Sequence, residues 1–288
     1  MIPPAIKQTL PYRIARDSFQ LVRGAIRDPA GFALLLLGRS HCWACGSRTG
    51  RTFRRIYSPE LAAGHGFSPA LAAAYDRRKG LRCYRCQASG RAQGFAHSLI
   101  GLYGPPGCRS LAALCRKPGF QALAVASLNH VAWLHPFLES LPGLHYSEYG
   151  STDPAVPSED ALALSYSDAT FDLFLTSDTL EHVPDVERAL AEARRVLKPG
   201  GYLVTTIPVV WDAPSTRQRA KLEGGELVHL LPPCYHGGSV NPLDCLAFYE
   251  YGADAAGIFE AAGFEVRVEA EPRERVVRTF VCRRPMGK

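Results

Sequence analysis

Residues 159–208 contain an unbroken succession of apolar run, polar turn, helical pattern, glycine break and second apolar run. The first run, at residues 171–176, is rich in aromatic side chains, which is typical of a strand buried on both faces of a parallel sheet. Pro184 and Asp185 predict the start of a helix, because an aspartate side chain accepts free amide hydrogens of the first turn. This succession predicts half of a doubly wound α/β domain.

The predicted helix ends at a glycine break. Its apolar positions recur at helical spacing: Leu190, Ala193, Val196 and Leu197. Lys198 suits the negative end of the helix dipole, and the Pro-Gly-Gly at 199–201 cannot continue a helix. The chain is therefore expected to turn into a second strand at 202–207. Ligands of such sheets bind at the carboxyl ends of the strands, where Ser177 and Asp178 follow the first strand.

Four short motifs occur in this region in a fixed order. They are Asp160 before an apolar turn, TFD at 170–172, LEHVPD at 180–185 and RVLKPGG at 195–201. Together they resemble the class I S-adenosylmethionine-dependent methyltransferases of the type 11 kind, and a looser resemblance runs from residue 120 to the C terminus. The resemblance implies an α/β fold with a Rossmann-like doubly wound sheet, and S-adenosylmethionine as cofactor.

The resemblance also implies which residues hold the cofactor. Asp160 corresponds to the position that accepts a hydrogen bond from the adenine amino group. Glu148, in LHYSEYG after the expected second strand, corresponds to the position that binds the ribose hydroxyls. Ser177, Asp178 and His182 would line the pocket near the amino acid part of the cofactor. The alternative is that Glu148 and Asp160 are ordinary solvated loop carboxylates, and the surrounding motif favours the binding role.

The loop after the first expected strand departs from the family pattern. Family members have a strand ending in an acidic residue and a glycine-rich turn, which lets the backbone approach the cofactor. The segment LAVASLNHVAWL at 123–134 contains neither glycine nor carboxylate. Ala126, Ser127 and Asn129 are small or tolerate a left-handed conformation, so they are predicted to form a tight turn at the cofactor. The segment is compatible with altered cofactor binding or with its loss.

Two CxxC motifs precede this region: Cys42 with Cys45, and Cys83 with Cys86. Four thiolates are the number that a tetrahedral structural zinc requires, and they leave no open position for catalysis. The motifs predict a small zinc-ribbon-like region, with reduced or redox-active thiols as the alternative. Segment 46–82 is expected to loop out and to contain a short helix around 69–78. The other cysteines, expected to be buried free thiols, are Cys108, Cys115, Cys234, Cys245 and Cys282.

Three regions are expected: an N-terminal helical region at 1–40, the zinc-ribbon-like region at 41–100 and the methyltransferase-like domain at 118–288. The net charge of +6 is mild, so it permits an anionic partner without indicating nucleic acid. Basic residues around the cysteine motifs make nucleic acid the sharper alternative partner, although aromatic residues for base stacking are sparse there. These residues are Arg48, Arg51, Arg54, Arg55, Arg77, Arg78, Lys79 and Arg82.

The longest apolar run, GFALLLLG at 31–38, is shorter than the roughly 18 residues that a membrane-spanning helix needs. The N-terminal residues also lack a signal-peptide pattern, so a cytoplasmic location is expected. Arginines and apolar residues alternate at helical spacing within 1–40. This pattern is compatible with packing on the body of the protein or with peripheral contact at an anionic membrane surface.

The segment at 217–252 follows the second strand and is expected to shape the substrate site, because it folds over the carboxyl ends of the strands. His236 lies there between Pro-Pro and Gly-Gly pairs. It would either accept the proton released when a nucleophile attacks the methyl group, or order the loop through hydrogen bonds. Near the C terminus, AAGFEV at 261–266 predicts a helix end at Gly263 and a closing pair of antiparallel strands.

Three functions remain open on the sequence. The leading one is methyl transfer from S-adenosylmethionine to a small-molecule or glycan-type acceptor. A second is a scaffold or binding module that kept the fold and lost the cofactor. The third is a nucleic-acid methyltransferase guided by the zinc-ribbon-like region, which requires a continuous basic surface from that region to the pocket.

Overall fold

The computed structural model describes residues 41–48, 51–53, 55–64, 69–131, 133–235, 245–272 and 277–287. The strands are β1 (Arg51–Phe53), β2 (Leu81–Cys83), β3 (Val125–Leu128), β4 (Leu144–Ser147), β5 (Phe171–Ser177), β6 (Leu197–Thr206), β7 (Arg217–Gln218), β8 (Ala220–Glu223), β9 (Glu226–His229), β10 (Tyr249–Glu250), β11 (Glu265–Ala270) and β12 (Arg278–Arg283). The helices are α1 (Pro59–Gly64), α2 (Pro69–Gly80), α3 (Gly90–Tyr103), α4 (Leu111–Leu114), α5 (Pro118–Gln121), α6 (His135–Leu138), α7 (Val186–Val196) and α8 (Ala255–Ala261), with a 3-10 turn at Leu180–His182. The predictions for residues 1–40, including membrane contact, lie outside these ranges. Among the helices that the ranges contain, none has both the length and the apolar character to cross a bilayer.

A six-stranded sheet forms the centre of the molecule, in the order β11-β12-β6-β5-β3-β4. Strands β3, β4, β5 and β6 are parallel, whereas β12 is antiparallel to β6 and to β11. The chain extends the sheet from β3 to β4 on one side and then from β5 to β6 on the other. This reversal between β3 and β5 is the arrangement of a doubly wound sheet, so the expected fold class and the closing antiparallel pair are confirmed.

Apolar side chains fill both faces of the sheet. On one face, Leu190 of α7 and Phe259 of α8 pack against Phe174. On the other face, Leu99 of α3 packs against Leu173 in a cluster that also includes Cys42 and Cys83. The zinc-ribbon-like region is therefore part of the second face of the core.

Helix α7 begins where the sequence predicts, because the Asp185 side chain accepts a 2.9 Å hydrogen bond from the Arg188 backbone amide. Its end differs from the prediction. Leu197 pairs with Phe171 and opens β6, five residues earlier than expected, and a register shift between Phe171 and Leu173 accommodates the Pro-Gly-Gly segment. Lys198 consequently contacts Asp172 of β5, at 2.8 Å, instead of the helix end.

The expectation that segment 46–82 loops out is wrong. Its helix is present as α2, but α2 packs at the carboxyl edge of the sheet instead of projecting from it. Buried Tyr75 donates a hydrogen bond to the backbone carbonyl of Val209, just after β6. Arg78, one of the largest fully buried side chains, contacts Asp178 after β5. These two buried polar contacts fix the helix on the sheet.

Candidate cofactor site and cysteine cluster

The four cysteines of the CxxC motifs lie together, with all sulfur atoms within 4.8 Å of one another. The Cys42 and Cys86 sulfurs are 3.7 Å apart, and the Cys45 and Cys83 sulfurs are 3.8 Å apart. A tetrahedral zinc with Zn–S bonds of about 2.3 Å requires sulfur separations of about 3.8 Å. A disulfide would require about 2.0 Å. The donor set and its spacing therefore fit a four-cysteine zinc site.

Each CxxC motif is closed by a tight turn. The amide of Gly46 donates to the Cys42 carbonyl and the amide of Gln87 donates to the Cys83 carbonyl, both at 2.8 Å. Gly46 and Gln87 have φ values of 79° and 63°. Hydrogen bonds among the four thiols lower the pKa values of Cys45 and Cys83 and raise those of Cys42 and Cys86. The cluster therefore favours thiolate at two of its positions, and thiolate is the form in which cysteine binds metal.

Asn129 follows β3 and connects three loops at the carboxyl edge of the sheet. Its φ of 61° gives the tight left-handed turn that the sequence predicts. Its Nδ2 donates to Thr179 Oγ1 at 3.4 Å, and its Oδ1 accepts from the Tyr149 amide at 3.0 Å. Ala126 and Ser127 instead lie within β3, and both are buried. Of the three residues predicted for this loop, Asn129 alone is positioned on it.

Glu148 and Asp160 lie on neighbouring segments beyond β4. The Glu148 amide donates to the Pro157 carbonyl at 3.0 Å, and Glu148 forms a parallel bridge with Ser158. One oxygen of Glu148 accepts from the Tyr146 hydroxyl, and one oxygen of Asp160 accepts from the Leu162 amide at 2.8 Å. The second oxygen of each carboxylate has no hydrogen-bond partner in the described ranges. Two half-exposed acceptors are thus available for a ligand at this edge.

Ser177 and Asp178 lie where β5 ends, and they form part of a buried polar network. The hydroxyls of Ser177 and Thr206 are 2.8 Å apart, and Thr206 Oγ1 donates to Asp178 Oδ1 at 3.0 Å. Arg78 Nη2 donates to the same oxygen at 2.9 Å. The Asp178 carboxylate is therefore already paired, unlike those of Glu148 and Asp160.

Lys79 and Arg91 also form ion pairs with Asp178. Lys79 Nζ is 3.7 Å from Asp178 Oδ2, and Arg91 Nη1 contacts the same oxygen. Burial alone would raise the pKa of Asp178, but the charges of Arg78, Arg91 and Lys79 outweigh it and hold that pKa well below its usual range. Sequence reasoning missed this cluster, because the cations precede Asp178 by 87 to 100 positions.

Glu181, inside the LEHVPD motif, is the second acidic residue buried at this edge. Its side chain is 1% exposed, and neither carboxylate oxygen has a hydrogen-bond partner within the described ranges. Burial raises the pKa of Glu181 to about 7. His182 Nδ1 donates to the Leu246 carbonyl at 2.9 Å, which leaves its Nε2 facing Glu181 Oε1 at 3.7 Å. Glu181 and His182 thus form a proton-binding pair, of which sequence reasoning had not included Glu181.

Two cavities flank the cysteine cluster. One, of about 600 Å³, is lined by Trp133, Phe137, Arg85 and Arg116 among others. The second, of about 440 Å³, shares Ser110 with the first and is lined by basic residues: Arg48, Arg109 and Lys117. Neither lining contains an acidic residue. His236, predicted as the proton acceptor, lies outside the described residues.

Comparison with known proteins places a family match on the part of the chain that bears the motifs. Residues 145–205 match the family described as methyltransferase domain. An uncharacterised transposon-encoded protein of Streptomyces fradiae is 48% identical over 62 residues, which are 21% of this chain and 18% of that protein. Demethylmenaquinone methyltransferase of Thermobifida fusca is 53% identical over 49 residues, or 17% and 21% of the two chains.

Among solved structures, an S-adenosylmethionine-dependent methyltransferase from Mesorhizobium loti is 18% identical, with a TM-score of 0.35. The alignment covers 56% of this chain and 91% of that one. The curated relatives named above are matched over about a fifth of their length. The matched segment runs from β4 through β6, the strands that carry Glu148 and Asp178. Residues 145–205 are therefore similar to a methyltransferase domain, and they lie within a doubly wound sheet that follows a zinc-ribbon-like cysteine cluster in the chain.

Proposed function

We propose that the protein transfers a methyl group from S-adenosylmethionine to an acceptor. The observation that carries this proposal is the pair of carboxylates, Glu148 and Asp160, on neighbouring backbone segments beyond β4, near the switch point between β3 and β5. Each retains an oxygen free to accept a hydrogen bond, as the ribose hydroxyls and the adenine amino group require. The residues present therefore fit the adenosine part of the cofactor.

When bound, S-adenosylmethionine supplies an activated methyl group on a sulfonium, so the protein has mainly to align it with the acceptor. Asn129 fixes the loops after β3, β4 and β5 relative to one another, which keeps this edge in a single geometry. Glu181 and His182 lie at the same edge, with His182 Nε2 3.7 Å from Glu181 Oε1, and are a second candidate pair to take up a proton from an oxygen or nitrogen acceptor. His236 remains a predicted proton acceptor.

The acceptor that we propose is a small molecule or a glycan-type compound. The name of the Thermobifida fusca relative gives demethylmenaquinone, a small molecule, as that enzyme's acceptor. We further propose that the cysteine cluster holds a structural zinc, supported by sulfur spacings that match a tetrahedron of four thiolates. With all four positions taken by cysteine, the metal would stabilise the region and take no part in methyl transfer.

The proposal is tested by calorimetric titration with S-adenosylmethionine and S-adenosylhomocysteine. Wild-type protein should bind both in the micromolar range, and Glu148→Ala and Asp160→Ala should each weaken binding about tenfold or more. Glu139→Ala, which removes an exposed carboxylate after α6, is the matched control and should bind like wild type. Absence of binding at millimolar cofactor would reject methyl transfer in favour of the scaffold function.

A nucleic-acid acceptor is the second candidate, favoured by the two basic cavities. Trp133 is 60% exposed, has a φ of 68° and stands beside Arg82, whose guanidinium carbon is 5.9 Å from the ring centre. A bulky residue in this strained conformation is uncommon, and an exposed indole among arginines suits base stacking. Ser110 lines both cavities, and Trp133, which lines one of them, lies in the loop after β3.

This candidate predicts that a fluorescently labelled single-stranded RNA binds with a strong salt dependence. Trp133→Ala should weaken that binding about tenfold or more, in the range of one lost base stack. Trp211→Phe, on the other side of the molecule's core, should not change it. Equal binding by all three proteins, or none at low salt, would remove nucleic acid as the acceptor.

A further inference from the structure

The carboxyl end of β5 carries more positive than negative charge. Three cations, Arg78, Lys79 and Arg91, surround the carboxylate of Asp178, and the buried carboxyl group of Glu181 lies nearby. Their side chains are 2%, 23% and 17% exposed, so the cluster is largely shielded from water. Unpaired charge in such surroundings is costly, and an additional anion would offset it. The cluster is therefore suited to a second, exogenous carboxylate.

The three cations differ in how completely their donors are used by Asp178. Both terminal nitrogens of Arg78 donate to the two Asp178 oxygens, at 2.9 and 3.4 Å, so this guanidinium is fully engaged. Lys79 Nζ is 3.7 Å from the carboxylate, beyond hydrogen-bond distance, and its partner on the other side is the ring of Tyr57. The Nε of Arg91 is buried and has no hydrogen-bond acceptor among the described residues. Lys79 and Arg91 thus retain donors for a ligand.

The sheet order gives the distance between this cluster and the adenosine end of the proposed site. Glu148 follows β4 and Asp178 follows β5, with β3 between them. Adjacent strands are about 4.8 Å apart, so the two ends are separated by about 10 Å along the sheet edge. An extended nucleoside joined to an amino acid spans such a distance. A ligand whose nucleoside lies at Glu148 and Asp160 would bring its amino acid end to Asp178.

We propose that Lys79 and Arg91 bind the carboxylate of the amino acid part of S-adenosylmethionine. This inference rests on the proposed function and deepens it. The loop after β3 has no glycine between 123 and 134, so its backbone cannot approach a ligand as closely as a glycine-rich turn would. In place of that backbone contact, charged side chains of the zinc-ribbon-like region at 41–100 hold the ligand.

The cysteine cluster positions one of these cations. Arg91 lies in the first turn of α3, two residues after the N-cap residue Ser89, whose hydroxyl accepts from the Ala92 amide. The Cys83 amide donates to the Ala88 carbonyl at 2.9 Å, so the second CxxC turn leads directly into this helix. A metal at the cluster would therefore fix the start of α3 and, with it, the placement of Arg91.

The test compares two ligands that share the nucleoside. S-adenosylhomocysteine carries the amino acid carboxylate, whereas 5′-methylthioadenosine lacks the entire amino acid end. In calorimetry, Arg91→Gln and Lys79→Gln should each weaken binding of S-adenosylhomocysteine by about tenfold to a hundredfold, the range for a hydrogen bond between charged groups. Both variants should bind 5′-methylthioadenosine as wild type does. Arg267→Gln, which removes an exposed arginine of β11, should leave both affinities unchanged.

Arg91→Lys keeps the positive charge and should bind S-adenosylhomocysteine more tightly than Arg91→Gln. This comparison distinguishes the loss of a charged contact from a loss of folding. The inference is overturned if the glutamine variants bind S-adenosylhomocysteine like wild type, or if they lose both ligands equally. It is also overturned if wild-type protein binds the two ligands equally tightly. Wild-type protein that binds neither ligand would instead reject the proposed function itself.

Discussion

Arg78 Nη2 donates to Asp178 Oδ1 at 2.9 Å, and side chains 100 positions apart in the sequence are thereby joined in the interior. Removing one partner of a buried ion pair leaves the other uncompensated, which typically costs several kcal/mol. Asp178 keeps Lys79 and Arg91, so we expect Arg78→Met to lower the free energy of unfolding by about 3 kcal/mol, the low end of that range. Urea unfolding followed by circular dichroism measures this change.

The control for this prediction is Arg267→Met. Arg267 pairs with Glu269 at 2.7 Å, but its side chain is 60% exposed, so its loss should cost less than about 1 kcal/mol. Equal effects of the two substitutions would show that the buried pair is not a stabilising contact.

Metal content tests the cysteine cluster. Purified protein should contain one zinc ion per chain, and Cys45→Ala and Cys86→Ala should each lose it, because three thiolates bind zinc much more weakly than four. Removal of the metal by a chelator should lower the melting temperature. Cys108→Ala changes a nearby cysteine outside the cluster and should retain the metal. Full zinc content in the Cys86 variant, measured by atomic emission, would contradict a four-cysteine site.

Glu181 predicts a pH dependence of stability. Burial raises its pKa from 4.5 to about 7, so the folded state binds the proton more tightly than the unfolded state does. The contribution of Glu181 to stability is therefore fully present below pH 4.5 and is lost as the pH rises from 4.5 to 7. Glu181→Gln removes this loss, so the variant should gain up to about 3 kcal/mol relative to wild type between these pH values.

Four other ionisable side chains lie near Glu181. They are His182, Asp178, Lys79 and Tyr251. Glu187→Gln, on the first turn of α7, changes an exposed residue of the same type and is the matched control, which should not alter this pH dependence. Parallel stability curves for wild type and Glu181→Gln, from urea unfolding at a series of pH values, would show that Glu181 titrates normally.

Two substitutions of Asn129 distinguish the cost of backbone strain from the cost of losing side-chain hydrogen bonds. Alanine at a φ of 61° is strained by about 1 kcal/mol or more, whereas glycine adopts this conformation freely. Both substitutions lose the bonds to Thr179 and Tyr149. Asn129→Ala should therefore destabilise the protein more than Asn129→Gly, by about 1 kcal/mol in thermal unfolding. The reverse order would show that the left-handed turn does not form.

Asp185 provides a test of the helix that follows the proposed site. Its carboxylate caps α7 through the Arg188 amide, so Asp185→Ala should cost about 1 kcal/mol. Asn is an equally good capping residue, and Asp185→Asn should cost much less. The difference between the two variants in urea unfolding measures the cap itself. Both variants lose the negative charge. An equal loss of stability in both would therefore assign the effect to the helix dipole.

Local patterns predicted much of the sheet. Asp185 marks a helix start, and the run at 171–176 marks a strand, because capping and burial depend on residues close in sequence. The end of α7 was misplaced because Leu197 fits a helical pattern as well as it fits β6. Tertiary pairing with Phe171 decided in favour of the strand.

The site was less predictable, since its contacts join distant segments. Asp178 was expected to line an open pocket, and no local pattern pairs it with Arg78, Lys79 or Arg91. Glu181 was within a recognised motif, but its burial depends on packing around Tyr251 and the 3-10 turn. By contrast, the cysteine cluster was readable, because CxxC spacing alone brings two sulfurs to one point.

The ion pair between Arg78 and Asp178 bears on how this protein could evolve or be divided. Exchange of the cysteine-bearing region for an unrelated one, as in modular domain shuffling, would leave Asp178 buried without its main counterion. A shortened protein that begins at 118 would suffer the same loss. We therefore expect the two regions to evolve together, with a substitution of Arg78 favouring a compensating substitution of Asp178, and the reverse.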